Sequence, residues 1–149
     1  WLSQSDYIHK VLKRFNMDNA KPVSTPLLTT IRLSDRDSPS TEEDRRLNGK
    51  MPYASAVGSI MYAMMATRPD LAYVVGVVSR YMSNLGRKHW EVVKHILRYL
   101  RGSKYARLIF GSNNSTEVEG YTKSDYARNT DNRKSTSGYI FTYGGGVIS

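Results

Sequence analysis

The hydrophobic period of this chain changes at Gly102, and that change limits the fold more than any other feature. Before it, apolar residues recur at helical spacing; after it, they fall in short runs rich in strand formers. Tyr7, Ile8, Val11, Leu12 and Phe15 follow Ser3, which reads as an N-cap with Asp6 three residues on. That helix is expected to end near Met17, Asp18 and Asn19. Pro52 suits the first position of a second helix, with Tyr53, Val57, Ile60, Met61 and Met64 as its buried stripe. Ala54, Gly58 and Ala63 are small enough for close helix approach. Thr67-Arg68-Pro69-Asp70 breaks that helix and Pro69 opens the next, with Leu71, Val74, Val75, Val78 and Met82 inward. A further helix from Lys88 to Arg101 presents Trp90, Val93, Leu97 and Leu100, and Gly102 supplies its C-terminal cap. Trp90 and Met64 read as core residues, not as stacking or cofactor groups. Three short helices with short turns over 52–102 predict a compact antiparallel bundle.

Past Gly102, Arg107-Leu108-Ile109-Phe110, Val118 to Thr122 and Ser137 to Tyr143 read as strands, with a turn over 111–115. Gly144-Gly145-Gly146 turns the chain into a strand beginning at Val147. Residues 20–50 read as a connector, because Pro22, Pro26 and Pro39 remove backbone donors and the stretch from Ser34 to Arg46 is polar. A surface strap, poorly ordered in its second half, is expected there. The expected fold class is α+β, in three parts: helix and connector over 1–51, helical unit over 52–102, incomplete β-meander over 103–149.

Charge points to a partner. Lys and Arg number 22 against 13 Asp and Glu, a net charge of +9, which favours a polyanion and nucleic acid before membrane. The excess gathers at Arg80, Arg87, Lys88, Lys94, Arg98, Arg101, Lys104 and Arg107, with only Glu91 against it in that stretch. Arg87, Lys94, Arg98 and Arg101, spaced seven, four and three apart, share one helix face. With Tyr99 and Tyr105 nearby, that face suits sequence-tolerant contact with the phosphates of a duplex or RNA–DNA hybrid. The ordinary alternative is a solvated helix face.

Other chemistries find less support. There is no cysteine, hence no disulfide or thiolate metal site, which suits a reducing compartment inside the cell, cytoplasmic or nuclear. His9, His89 and His95 are too scattered for a metal motif, and the last two stand six apart on one helix. Asp35, Asp37, Glu42, Glu43 and Asp44 read as solvated connector charges, so no metal site is assigned. The longest apolar run, Ala54 to Ala66, is interrupted and short of the roughly 20 residues a membrane span needs. The first residue is Trp1 and the expected β-meander is incomplete, so a longer protein is expected on both sides.

Several longer phrases carry a family resemblance. They are Ala20-Lys21-Pro22-Val23-Ser24-Thr25-Pro26-Leu27, Pro52-Tyr53-Ala54-Ser55-Ala56-Val57-Gly58-Ser59-Ile60-Met61-Tyr62, and Thr67-Arg68-Pro69-Asp70. To these add His89 to Gly102, Gly120-Tyr121-Thr122-Lys123-Ser124-Asp125-Tyr126-Ala127, and Asp131 to Tyr139. Together they resemble the copia-type retrotransposon Pol polyprotein, from the end of reverse transcriptase into RNase H. The resemblance implies that 52–102 is a thumb and connection unit gripping primer-template, that 103–149 is the start of an RNase H-like sheet, and that the remainder of the polyprotein is a partner. The family's polymerase motif, Tyr-x-Asp-Asp, is absent here, and the magnesium implied for the parent enzyme has no complete ligand set in this chain. Lys123 stands where the resemblance places the first RNase H carboxylate. A lysine there puts positive charge where a cation must sit, so no catalytic residue is expected, and Asp125 is at most a remnant. Arg128 and Leu85 also depart from the family pattern. The rival expectation is a relict retaining only a folding unit.

Overall fold

The computed structural model describes residues 1–27, 31, 33–111, 117–125 and 136–147. Among them are five α-helices, α1 (Ser5–Arg14), α2 (Glu42–Asn48), α3 (Tyr53–Ala66), α4 (Ala72–Ser79) and α5 (Arg87–Gly102). Three strands follow, β1 (Val118–Asp125), β2 (Thr136–Tyr143) and β3 (Gly146–Val147). Short 3₁₀ turns occupy Asp35–Asp37 and Pro69–Leu71. No described helix is long and apolar enough to cross a membrane.

Helices α1, α3, α4 and α5 close on one apolar core. Ile8 and Leu12 of α1, Tyr53, Val57 and Ile60 of α3, Val74 and Val78 of α4, and Ile96, Leu97 and Leu100 of α5 are all at most 1% exposed. The connector adds Leu33, so residues on both sides of position 51 share this core. Tyr53 is fully buried, and its hydroxyl donates to the Val78 carbonyl at 2.7 Å, tying α3 to α4 while satisfying its polar end. Trp90 and Met64 pack on the rim of the core.

Several boundaries differ from the sequence expectation. Gln4, not Ser3, is the N-cap of α1, and Ser3 Oγ only receives the Ser5 N–H at 3.4 Å. The helix ends early because Asn16 adopts a left-handed backbone with φ of 55°. There the Met17 N–H reaches the Leu12 carbonyl at 2.8 Å and the Asn16 N–H reaches Lys13 at 3.1 Å, the paired bonds of a Schellman stop. The second half of the connector contains α2, whose N-cap Thr41 accepts the Asp44 N–H at 3.1 Å and whose first turn carries Glu42, Glu43 and Asp44. Pro52 is the N-cap of α3, one residue outside its expected place. Ala54 and Gly58 are exposed, and Ala56 and Ala63 are the small residues facing the core. On leaving α4, Tyr81 is buried and Met82 is 43% exposed. Gly102 belongs to α5, and Ser103 is the cap. A Cβ at Gly102 would stand 3.2 Å from Pro22 Cβ and 3.2 Å from the Val23 carbonyl, so this glycine serves close approach of the connector.

β1, β2 and β3 form an antiparallel sheet in that order, with Val118 opposite Tyr143 and Asp125 opposite Thr136. Gly144 and Gly145 have φ of 55° and 78°, the positive values a two-residue hairpin demands at both positions. Arg107 to Phe110, expected as a strand, does not join this sheet. Leu108 forms an isolated antiparallel bridge with Leu2, and Gly111 donates to the Gly144 carbonyl at 2.8 Å. Apart from Gly111, the expected turn at 111–115 lies outside the described residues, as do the motif over 126–135 with Arg128 and residues 148–149.

Candidate nucleic-acid interface

The cationic stretch is built on α5. Its apolar side, Val92, Val93, Ile96, Leu97 and Leu100, is buried, which fixes the rotation of the helix and turns the basic residues outward. The N-terminal connector then lies along the helix. Arg98 Nε donates to the Lys21 carbonyl at 2.7 Å, and Arg101 Nε donates to the Asp18 carbonyl at 2.6 Å. His95 Nε2 meets the Thr25 carbonyl at 3.0 Å, and Gly102 admits Pro22 and Val23 as described. Both arginines are half-buried and held by one nitrogen. Among the described residues no hydrogen bond or ion pair engages the terminal Nη groups of either, so each guanidinium is held through Nε alone.

The other basic residues are placed differently. Lys88 Nζ pairs with Asp37 at 2.9 Å, and Lys94 pairs with Glu91 at 2.7 Å. The sequence showed only Glu91 as an acidic neighbour; folding brings Asp37 across 51 positions. Burial alone would raise the Asp37 carboxyl, but the Lys88 ammonium and the Ser34 N–H hold it below the ordinary value. Arg87 is exposed at the first turn of α5, whereas Arg80 stands on another element as the C-cap of α4. Lys104, just past α5, lies 4.7 Å from the Tyr105 ring centroid. Lys94, Arg98 and Arg101 therefore follow one another on one face of α5 at spacings of four and three, Lys104 comes just after the helix, Lys88 is paired with Asp37, and Arg80 stands on another element.

Two polar centres escaped sequence reasoning. Arg68, 3% exposed, forms a two-bond pair with Asp70 at 3.0 and 2.8 Å and also reaches Ser103 Oγ at 2.8 Å. Burial opposes its charge, but Asp70 and the Tyr99 hydroxyl hold the guanidinium above its ordinary value. The phrase Thr-Arg-Pro-Asp was the available signal, since Pro69 fixes the turn that returns Asp70 to Arg68. At the start of α5, His89 is fully buried, stacks on Tyr81 at 4.1 Å, and accepts the Gly86 N–H on Nδ1 at 2.8 Å. Burial lowers its pKa.

At the other candidate position, Lys123 lies opposite Gly138 in the β1–β2 register and Asp125 opposite Thr136 at the strand end. Among the described residues no group of three or more His, Asp or Glu is placed to hold a metal ion.

Comparison with known proteins found no matching family model and no matching solved structure. The chain is 56% identical over all 149 of its residues to the retrovirus-related Pol polyprotein from transposon TNT 1-94 of Nicotiana tabacum, covering 11% of that protein. It is 36% identical over 148 residues to the retrovirus-related Pol polyprotein from transposon RE2 of Arabidopsis thaliana, covering 10% of it. It is also 44% identical over 99 residues to the secreted RxLR effector protein 161 of Plasmopara viticola, 66% of this chain and 70% of that protein. The chain thus spans about a tenth of the length of the Pol relatives it matches.

Proposed function

This chain is a homologue of retrovirus-related Pol polyproteins from plant transposons, and we propose that it serves such a polyprotein by gripping nucleic acid through the C-terminal half of α5. The finer reading is a copia-type Pol, with the helices as thumb and connection of reverse transcriptase and β1 to β3 as the start of an RNase H. The phrases around Pro52-Tyr53, Thr67-Arg68-Pro69-Asp70 and Gly120-Tyr121-Thr122 support that reading. The ligand is the phosphate backbone of an RNA–DNA hybrid or duplex, bound without regard to sequence.

One observation carries the proposal: Arg98 and Arg101 are pinned through Nε and keep their Nη pairs open. A guanidinium held this way has little rotamer entropy left to lose on binding, and its planar fork matches a phosphate oxygen pair. Lys94 and Lys104 extend the positive field on either side. Catalysis forms no part of the proposal. With Lys123 at the position of the family's first carboxylate, RNase H chemistry is not expected, and for that portion of the chain a relict reading stands as the alternative.

The test is Arg98→Gln with Arg101→Gln. The Gln amide nitrogen occupies the place of Nε, so the connector bonds can persist while both charges and all Nη donors are removed. Hybrid affinity is expected to fall about tenfold, and the log–log salt slope to flatten by about one per arginine. Unchanged affinity and slope would falsify the assignment of this face.

A further inference from the structure

We propose that the chain carries a second contact, for unpaired nucleic acid, where its N-terminal residues meet the segment leaving α5; this rests on the nucleic-acid reading above. Three stretches are fixed together there. Leu2 and Leu108 exchange backbone hydrogen bonds of 2.8 and 3.0 Å. The Thr67 hydroxyl donates to Gln4 Oε1 at 2.8 Å, and Arg68 of the same segment donates to the Ser103 carbonyl at 3.2 Å. The bridge sets Trp1 beside Arg107, whose guanidinium carbon stands 4.3 Å from the indole ring centroid. Lys104 stands over Tyr105 in the same segment.

The two rings are open to solvent: Trp1 is 72% and Tyr105 73% exposed. Each has a cation near one face, which leaves other ring surface available. A planar base can stack on such a ring, and the adjacent cation can meet the phosphate of the same nucleotide. Every base has a π-face, so this contact tolerates any sequence. Bases inside a duplex are already stacked on one another, whereas those of a single strand are free to use the rings. The pairing of ring with cation therefore selects unpaired strand, and the arginines of α5 are left to paired strands. An acidic protein surface would use the cations but gain nothing from the rings. Arg101 lies in the last turn of α5 and Lys104 follows it by three residues, so the two contacts adjoin along the chain.

The chain has two tryptophans, and Trp90→Phe leaves Trp1 as the sole indole reporter. The probes are single-stranded oligothymidine, an RNA–DNA hybrid and inorganic polyphosphate. Oligothymidine is expected to quench Trp1 fluorescence, and polyphosphate to leave it nearly unchanged. In the otherwise unaltered chain, labelled-oligonucleotide anisotropy should show Trp1→Ala and Tyr105→Ala each weakening single-strand binding about fivefold or more, with hybrid affinity unaffected by Trp1→Ala. The anisotropy arm holds even if Trp90→Phe disturbs folding. Equal quenching by polyphosphate, or single-strand affinity indifferent to both alanine variants, overturns the inference. If hybrid binding persists with its Arg98 and Arg101 dependence in that case, only the second contact falls. If neither nucleic acid binds, both proposals fall.

Discussion

At the scale of single residues, His89 joins local geometry to stability. Nδ1 accepts the Gly86 N–H, which puts the ring proton on Nε2, a buried atom with no hydrogen-bond partner among the described residues. Protonation would add a charge to a buried site, and burial lowers the pKa although the Ser34 backbone, Asp37 and Asp35 oppose the shift. The unfolded chain takes up that proton near pH 6.5, where the folded chain still refuses it. Above that value the contribution is fully present. As pH falls below it, the unfolded state binds more protons and stability declines until the depressed folded pKa is reached. The urea midpoint should therefore drop between pH 7 and pH 5, and His89→Gln should remove most of that slope. A slope unaltered in the variant would assign the pH dependence elsewhere. Asp37 and Asp70 have lowered pKa values, so their contribution is lost only in more acidic solution, as pH falls below the ordinary carboxylate value of about 4. Gly86 belongs to the same corner. A Cβ there would collide with the Asp37 carbonyl, so Gly86→Ala should detach the 3₁₀ turn from α5. The detachment would register as loss of the Lys88–Asp37 pair by NMR, and retention of that pair would refute the argument.

At the scale of elements, stops and pins govern more than propensity. The end of α1 depends on one left-handed residue, Asn16, a conformation that Asn tolerates and a β-branched residue does not. Asn16→Val should cost about 1–3 kcal/mol and Asn16→Gly almost nothing, measured by chemical denaturation. Equal effects of the two would show that the Schellman stop contributes little. The turn between α3 and α4 is held by Arg68, whose guanidinium links Asp70, Ser103 and the Tyr99 ring, the last at 5.3 Å. Arg68→Ala leaves these groups without their partner and should cost about 3 kcal/mol. A loss under 1 kcal/mol would mean that solvent replaces the arginine, since the Asp70 side chain is 40% exposed. The stop of α1 and the short helix α2 were not fully legible in the sequence. Asn16 followed by an apolar Met17 is a stop signal, and Thr41 with Asp44 three residues later is a cap signal inside a stretch that reads as a connector. Proline and polar content there outweighed the short cap motif, although α2 lies wholly after Pro39.

At the scale of the whole molecule, burial is uneven. The core joins α1, α3, α4, α5 and part of the connector, whereas Val118, Tyr121, Tyr139, Ile140, Phe141 and Tyr143 of the sheet are at least 40% exposed. Amides of α5 should accordingly exchange at the rate of global unfolding, and those of β1 and β2 should exchange faster through local opening. Uniform protection of helices and strands would contradict that division. The same unevenness explains why α5 can present charge: its apolar side is fully used, so its orientation is fixed before any ligand arrives.

The sequence by itself determined the apolar faces of the helices and the glycine turn between β2 and β3. Val93, Leu97 and Leu100 had to be buried together because they recur at helical spacing, and two adjacent glycines had to turn β2 into β3. It also determined the relationship to Pol polyproteins, which lies in the residue order. Tertiary structure alone decided the distant partners of the charged residues. Arg98 and Arg101 meet carbonyls 77 and 83 positions away, and Lys88 meets Asp37 across 51. Such partners carry no local period, because a backbone carbonyl is the same in every residue and only chain packing brings one within hydrogen-bond reach. A basic helix face was therefore legible, and the division of its arginines into pinned stems and open forks was not.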